Sequence, residues 1–178
     1  MHSLYGSTAE SLRPRPEWLE GLDVVVFDIQ DVGARYYTYV YTLALAMEAC
    51  ARAGVRFVVL DRPNPLGGER AEGNLVEPGF ESFVGLYPLP NRHGMTLGEL
   101  ARMLNAEQRF GCDLAVVPCL GWSRRMGWQG QKGMPCFSSS FTSCSRRKST
   151  ISSSGVNLNP SGSTTFGCFS VWRCITPR

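Results

Sequence analysis

The sequence predicts an α/β fold built on a mainly parallel sheet. Two observations carry that expectation. Val24 to Ile29 and Val55 to Leu60 are short, nearly continuous apolar runs, the pattern of strands buried on both faces. Between them, Thr38 to Ala53 is Ala-rich with a helical period, so strand, helix and strand follow at the spacing of a βαβ unit. A third run, Cys112 to Pro118, follows a second helical segment and extends the alternation.

The chain has 178 residues, enough for one domain with its own core. Residues 1–15 show no period and read as a loop. Pro16 to Gly21 suits one helical turn, with Pro at its first position and Glu17 near the positive helix end. The strand at 23–29 is interrupted only by Asp28, and Val32-Gly33-Ala34 forms a tight turn after it. In the helix that follows, Leu43, Met47 and Cys50 share one face, Glu48 and Arg52 form an i,i+4 pair, and Gly54 ends it. Residues 61–95 are a Gly- and Pro-rich connection longer than ordinary loops, which points to function. Thr96-Leu-Gly-Glu99 is a capping box that starts a helix running to about Phe110.

Charge separates the chain into two parts. The net charge is +3, from 18 basic and 15 acidic residues. All five charged residues beyond Pro135 are basic, so the first part holds 13 basic against 15 acidic residues, about −2. That balance argues against a nucleic-acid surface. No run approaches the length of a membrane span, and the first residues lack the pattern of a signal peptide. The seven cysteines form no C-x-x-C pair, so they read as buried or incidental thiols and predict no metal site. Residues 136–178 are rich in Ser with no acidic residue, a composition that does not build a core.

Ligands of open α/β sheets bind beyond the carboxyl ends of the strands. Asp28, Gln30, Asp31, Arg35, Tyr36 and Tyr37 gather there after the first strand, and Asp61, Arg62 and Asn64 after the second. Glu72, Arg92 and His93 lie on the long connection. A glycosidase needs two carboxyl groups about 5–9.5 Å apart, one to give a proton and one to attack or activate water. Asp28 within an apolar strand requires a partner, and Arg35 or Arg62 is the natural one. Arg62 or Arg92 can hold an acidic substrate, and the tyrosines can stack on a sugar ring. Each group also has a plain structural reading: ion pair, capping carboxylate, core ring, or, for His93, a hydrogen-bond donor. No phosphate-binding glycine loop and no G-x-S-x-G elbow occurs, so neither nucleotide chemistry nor a serine hydrolase is supported.

Five runs together, VFDIQDVGARYYTY (26–39), VLDRPNPLGG (59–68), AEGNLVEP (71–78), FVGLYPLPNRHGMTLGELA (83–101) and CDLAVVPCLGW (112–122), resemble the exo-β-N-acetylmuramidases, the DUF1343 group. The resemblance covers about residues 3–135. It implies a Rossmann-like three-layer N-terminal domain, here incomplete and followed by the irregular Ser-rich tail, and a separate C-terminal domain. It implies hydrolysis of terminal N-acetylmuramic acid from peptidoglycan fragments, with no organic cofactor, often outside the cytoplasm. Glu72, Asp28 and Asp31 are then the candidate catalytic carboxylates, with Glu72 foremost. Gln30, Arg35, Tyr37, Arg62, Asn64, Arg92 and His93 are expected to line the sugar site, with Arg62 or Arg92 on the lactyl carboxylate. The chain departs from the family in three ways. It lacks an upstream Pro-Glu-His-Gly-type motif, it has Asn91 where an apolar residue is usual, and its residues after Gly133-Met-Pro135 do not match. It is therefore expected to be an internal fragment, with residues 136–178 disordered or frame-shifted. The alternative expectation is a non-catalytic sugar-binding remnant.

Overall fold

The computed structural model describes Leu4 and residues 9–127. The expectations for the Ser-rich tail fall outside the described residues. Among the described residues, three strands, β1 (Val24–Phe27), β2 (Arg56–Leu60) and β3 (Leu114–Val117), form one parallel sheet in the order β1-β2-β3. Val24 pairs with Arg56 and Phe27 with Val59, and Leu60 pairs with Val117. The α-helices among the described residues are α1 (Pro16–Leu19), α2 (Tyr39–Ala53) and α3 (Leu97–Glu107). The α/β class and the βαβ unit are as the sequence predicts.

Sheet order in this simple progression has a consequence. Each crossover steps the same way, so right-handed connections place α2 and α3 on one face. The two helices pack on each other there and on β2. Val25, Phe27, Phe57 and Val59 point into that layer and are fully buried, with the Phe27 and Phe57 rings 6.0 Å apart. Val24, Val26, Val58 and Leu60 alternate onto the other face and are half-buried. Among the described residues both long helices cover one face of the sheet, as in an incomplete α/β domain, and β1 and β2 are fully buried on that face only. Each side chain enclosed in the helix layer contributes about 1.5–3 kcal/mol of apolar burial.

Local chemistry explains the helix ends. Gly54 closes α2 in the left-handed region at φ 68°, a conformation that glycine adopts without steric penalty. Both halves of the Thr96–Glu99 capping box are formed at α3. Gly98 in its first turn is required by packing: a Cβ there would meet Val116 Cγ1 at 2.6 Å and Asp61 Cγ at 2.7 Å. The first half of α2, from Val40 to Met47, is buried nearly all round, because Tyr87 and Leu89 of the long connection pack over the core as well. Two expectations shift. Ala9–Leu12, read as loop, forms a 3-10 turn, and α3 ends at Glu107, before Phe110.

Candidate active site

Asp28 leaves the end of β1 and meets Arg62 from beyond β2. The guanidinium approaches Asp28 Oδ1 through Nε at 2.7 Å and Nη2 at 2.6 Å. Both side chains are a quarter exposed, so the partner that Asp28 requires is Arg62 and the pair still reaches solvent. Arg35, the other candidate, donates instead to the carbonyls of Asn74 (3.0 Å) and Leu89 (2.9 Å). It holds the long connection in place.

Asp31 and His93 form a second pair, but a closed one. Asp31 Oδ2 accepts from the Gly33 N–H at 2.7 Å and lies 3.2 Å from His93 Nε2. His93 Nδ1 accepts from the Met95 N–H at 3.2 Å, so in the neutral ring the proton sits on Nε2 and is donated to Asp31. The His93 side chain has 0% exposure and that of Asp31 7%. His93, expected to line a sugar site, is thus enclosed beneath the rim. Sitting two residues before Met95 on a loop that folds under the rim, it supports Asp31 from within.

Asn64, also expected at the sugar site, is enclosed in the same way. It is 3% exposed, donates to the Met95 carbonyl at 2.9 Å, and accepts from the Leu66 N–H at 2.9 Å. It is a turn residue that ties two loops. Gly33, at φ 85°, lies against it so closely that a Cβ would sit 2.3 Å from Asn64 Oδ1. Gln30 Nε2 donates to the carbonyls of Asp31 (2.6 Å) and Pro63 (2.9 Å) and joins the loops after β1 and β2.

Glu72 and Arg92 make the most open pair. Their backbones form an antiparallel bridge with two 2.9 Å hydrogen bonds. Arg92 Nη1 then donates to Glu72 Oε2 at 2.8 Å, and Nη2 to the Leu66 carbonyl. Glu72 is 53% exposed, the most open carboxylate of the three pairs. Tyr36 and Tyr37, which closely follow the Ala34 that bridges Arg92, are exposed, and Tyr37 packs edge-on against Tyr39 at 4.9 Å.

All these contacts belong to one network. The Arg35 N–H donates to the Asn91 carbonyl at 2.8 Å, next to Arg92. Loops from beyond β1, beyond β2 and before α3 thus share a rim at the C-terminal strand ends. Among the described residues, four enclosed polar atoms of that rim, Gln30 Oε1, Asp31 Oδ1, Arg35 Nε and Arg92 Nε, have no hydrogen-bond partner.

Sequence reasoning undervalued two residues. Asp61 accepts from the Gly98 N–H at 2.7 Å and from Thr96 Oγ1 at 2.8 Å, so it fastens the start of α3 to the end of β2. Arg124 bonds the carbonyls of Gly68 (3.2 Å) and Gly94 (3.1 Å) and the Glu99 carboxylate (2.5 Å). Asp61 stood in the pattern as a strand-end carboxylate. No local pattern marks Arg124, whose partners are distant in the chain.

Residues 1–141 match the profile described as "Exo-beta-N-acetylmuramidase NamZ, N-terminal". The chain belongs to the NamZ exo-β-N-acetylmuramidase family. Every residue of the rim lies within the NamZ-matched segment. The chain is similar to "Peptidoglycan beta-N-acetylmuramidase NamZ" of Bacillus subtilis (strain 168), with 54% identity over 126 residues, 71% of this chain and 30% of that protein. Two crystal structures of DUF1343 family proteins from Bacteroides fragilis NCTC 9343 are similar in fold. One gives a TM-score of 0.66 at 49% identity over 71% of this chain and 33% of its own. The other gives 0.60 at 40% identity over 64% of this chain and 33% of its own. The chain thus spans about a third of the length of these NamZ relatives.

Proposed function

We propose that the rim is a saccharide site and that the chain serves in hydrolytic removal of terminal N-acetylmuramic acid from peptidoglycan fragments. The 54% identity to a protein named as a peptidoglycan β-N-acetylmuramidase supports the reaction class. One structural observation carries the assignment to the rim: two carboxylates, Asp28 and Glu72, each stand with a guanidinium on loops of one hydrogen-bonded network. Hydrolysis breaks the bond between the anomeric carbon and the bridging oxygen. Water supplies the new oxygen at the anomeric carbon, and the leaving oxygen takes up a proton. Glu72 is the foremost candidate to attack or to activate water, a reading supported by its openness and its pairing with Arg92. Asp28 is the second candidate carboxylate, and Asp31 acts from beneath through its contact with His93. Arg62 and Arg92 are the cations available to the lactyl carboxylate, with Gln30, Arg35 and Tyr37 around them.

Residues 1–135 form the proposed partial N-terminal domain. A second reading has its own support. Asp28, Asp31 and Glu72 are each engaged by a side-chain partner, Arg62, His93 and Arg92 in turn. That favours binding over turnover by this chain alone. A synthetic disaccharide with N-acetylmuramic acid at its non-reducing end separates the readings. The proposal expects binding with slow release of the sugar, abolished in Glu72→Gln. Binding with no release by the chain would leave the sugar-binding reading, and release unaffected by Glu72→Gln would remove Glu72 from the mechanism.

A further inference from the structure

A groove of about 650 Å³ lies on the helix layer, lined in part by Arg13, Glu48, Arg52, Tyr87, Arg109 and Phe110. It is separate from the rim. α2 begins beside the rim and extends about 22 Å over its fifteen residues, and Glu48 and Arg52 stand in its second half. Arg109 and Phe110 follow the far end of α3.

The charges of this groove do not cancel. Glu48 answers two guanidiniums at once, Arg13 through Oε2 and Arg52 through Oε1. Glu81, also in the lining, turns both oxygens to the Gly79 N–H. Among the described residues no carboxylate pairs with Arg109. Tyr87 and Phe110 supply an apolar surface, packed edge-to-face at 6.4 Å.

Arg109 is also the one non-glycine residue with positive φ among the described residues, at 53°. It follows the C-cap Gln108, a position that glycine normally takes. A cation anywhere in the last turn of α3 would complement the helix dipole equally well. The dipole therefore explains a positive charge near the helix end, but not an arginine at the strained position. Non-glycine residues held in this region concentrate where ligands are gripped.

We propose that the groove binds a small organic anion, a carboxylate carried beside an apolar or saccharide body. Arg109 holds the carboxylate, and the Tyr87–Phe110 pair contacts the body. A lactyl ether and a peptide C-terminus both present this chemistry. The inference does not rest on the hydrolytic reading of the rim.

Titration of the ¹⁵N-labelled 178-residue chain followed by NMR tests it, with N-acetylmuramic acid, N-acetyl-D-alanine and N-acetylglucosamine as probes. At least one carboxylate is expected to shift the Arg109 and Phe110 signals saturably, with N-acetylglucosamine at least about tenfold weaker. The probe that saturates first identifies the source. Arg109→Gly removes the guanidinium yet restores the favoured residue. Its thermal midpoint is expected to hold or rise while affinity falls at least about tenfold. Silent groove signals with both carboxylates, equal binding of N-acetylglucosamine, or full affinity in Arg109→Gly overturns the proposal. Signals of Arg62 and Arg92 report the rim separately, so failure of one site is distinguishable from failure of the other.

Discussion

His93 Nε2 lies 3.2 Å from Asp31 Oδ2, across 62 residues of chain, with both side chains buried. This contact locks the loop before α3 beneath the loop after β1. It fixes the height of the rim, and it does so from inside.

Removal of that imidazole is expected to act on stability first. His93→Ala leaves Asp31 without a side-chain donor in a closed environment, a loss of about 1–3 kcal/mol. Chemical denaturation measures it directly. An unchanged midpoint would mean that Asp31 does not depend on His93.

Two glycines are expected to respond differently to alanine. At Gly98 the φ is ordinary but the space is filled by Val116 and Asp61, so Gly98→Ala costs about 1–3 kcal/mol through overpacking and disturbs the start of α3. At Gly54 nothing lies within 4 Å, and only the positive φ opposes a side chain, about 1–2 kcal/mol. Amide exchange should therefore show local loosening of the α3 N-terminus in the first variant and not in the second. Loosening at α3 in both, or in neither, contradicts the packing described.

Alkali should weaken the core. Burial pushes the Cys50 thiol up to about 12 and the Cys112 thiol up to about 11, from an ordinary 9.0. Burial likewise pushes the Tyr41 phenol up to about 12 from 10.0. The unfolded chain releases these protons first, so their contribution is complete below about pH 9 and falls as pH rises toward 12. Denaturation midpoints should decline across that window. Alkylation at pH 8 mapped by mass spectrometry should mark the half-buried Cys119 well before Cys50 or Cys112. Flat midpoints, or early labelling of Cys50, would show that these thiols are not enclosed.

Much of this architecture is legible in the sequence where rules are local. The capping box at Thr96 and Glu99, the Gly54 helix stop, the Glu48–Arg52 pair and the need of Asp28 for a cation all follow from spacing. The rim is legible as a gathering of polar residues at strand ends. Which of them face outward is not, because burial depends on how the long connection folds back. His93 and Asn64 are polar loop residues like Glu72 and Arg92, yet they point inward and serve the loops. The one-sided sheet is hidden for a similar reason: a run such as Val24 to Phe27 reads alike whether one face or both are covered.

The central claim is that the rim receives a muramic-acid sugar, and a titration read at the rim tests it most directly. N-acetylmuramic acid added to the chain should shift the signals of Arg62, Glu72 and Arg92 saturably, and Arg92→Ala should weaken that binding at least about tenfold. Rim signals that stay still at high sugar, or full affinity in both Arg92→Ala and Arg62→Ala, would contradict the account.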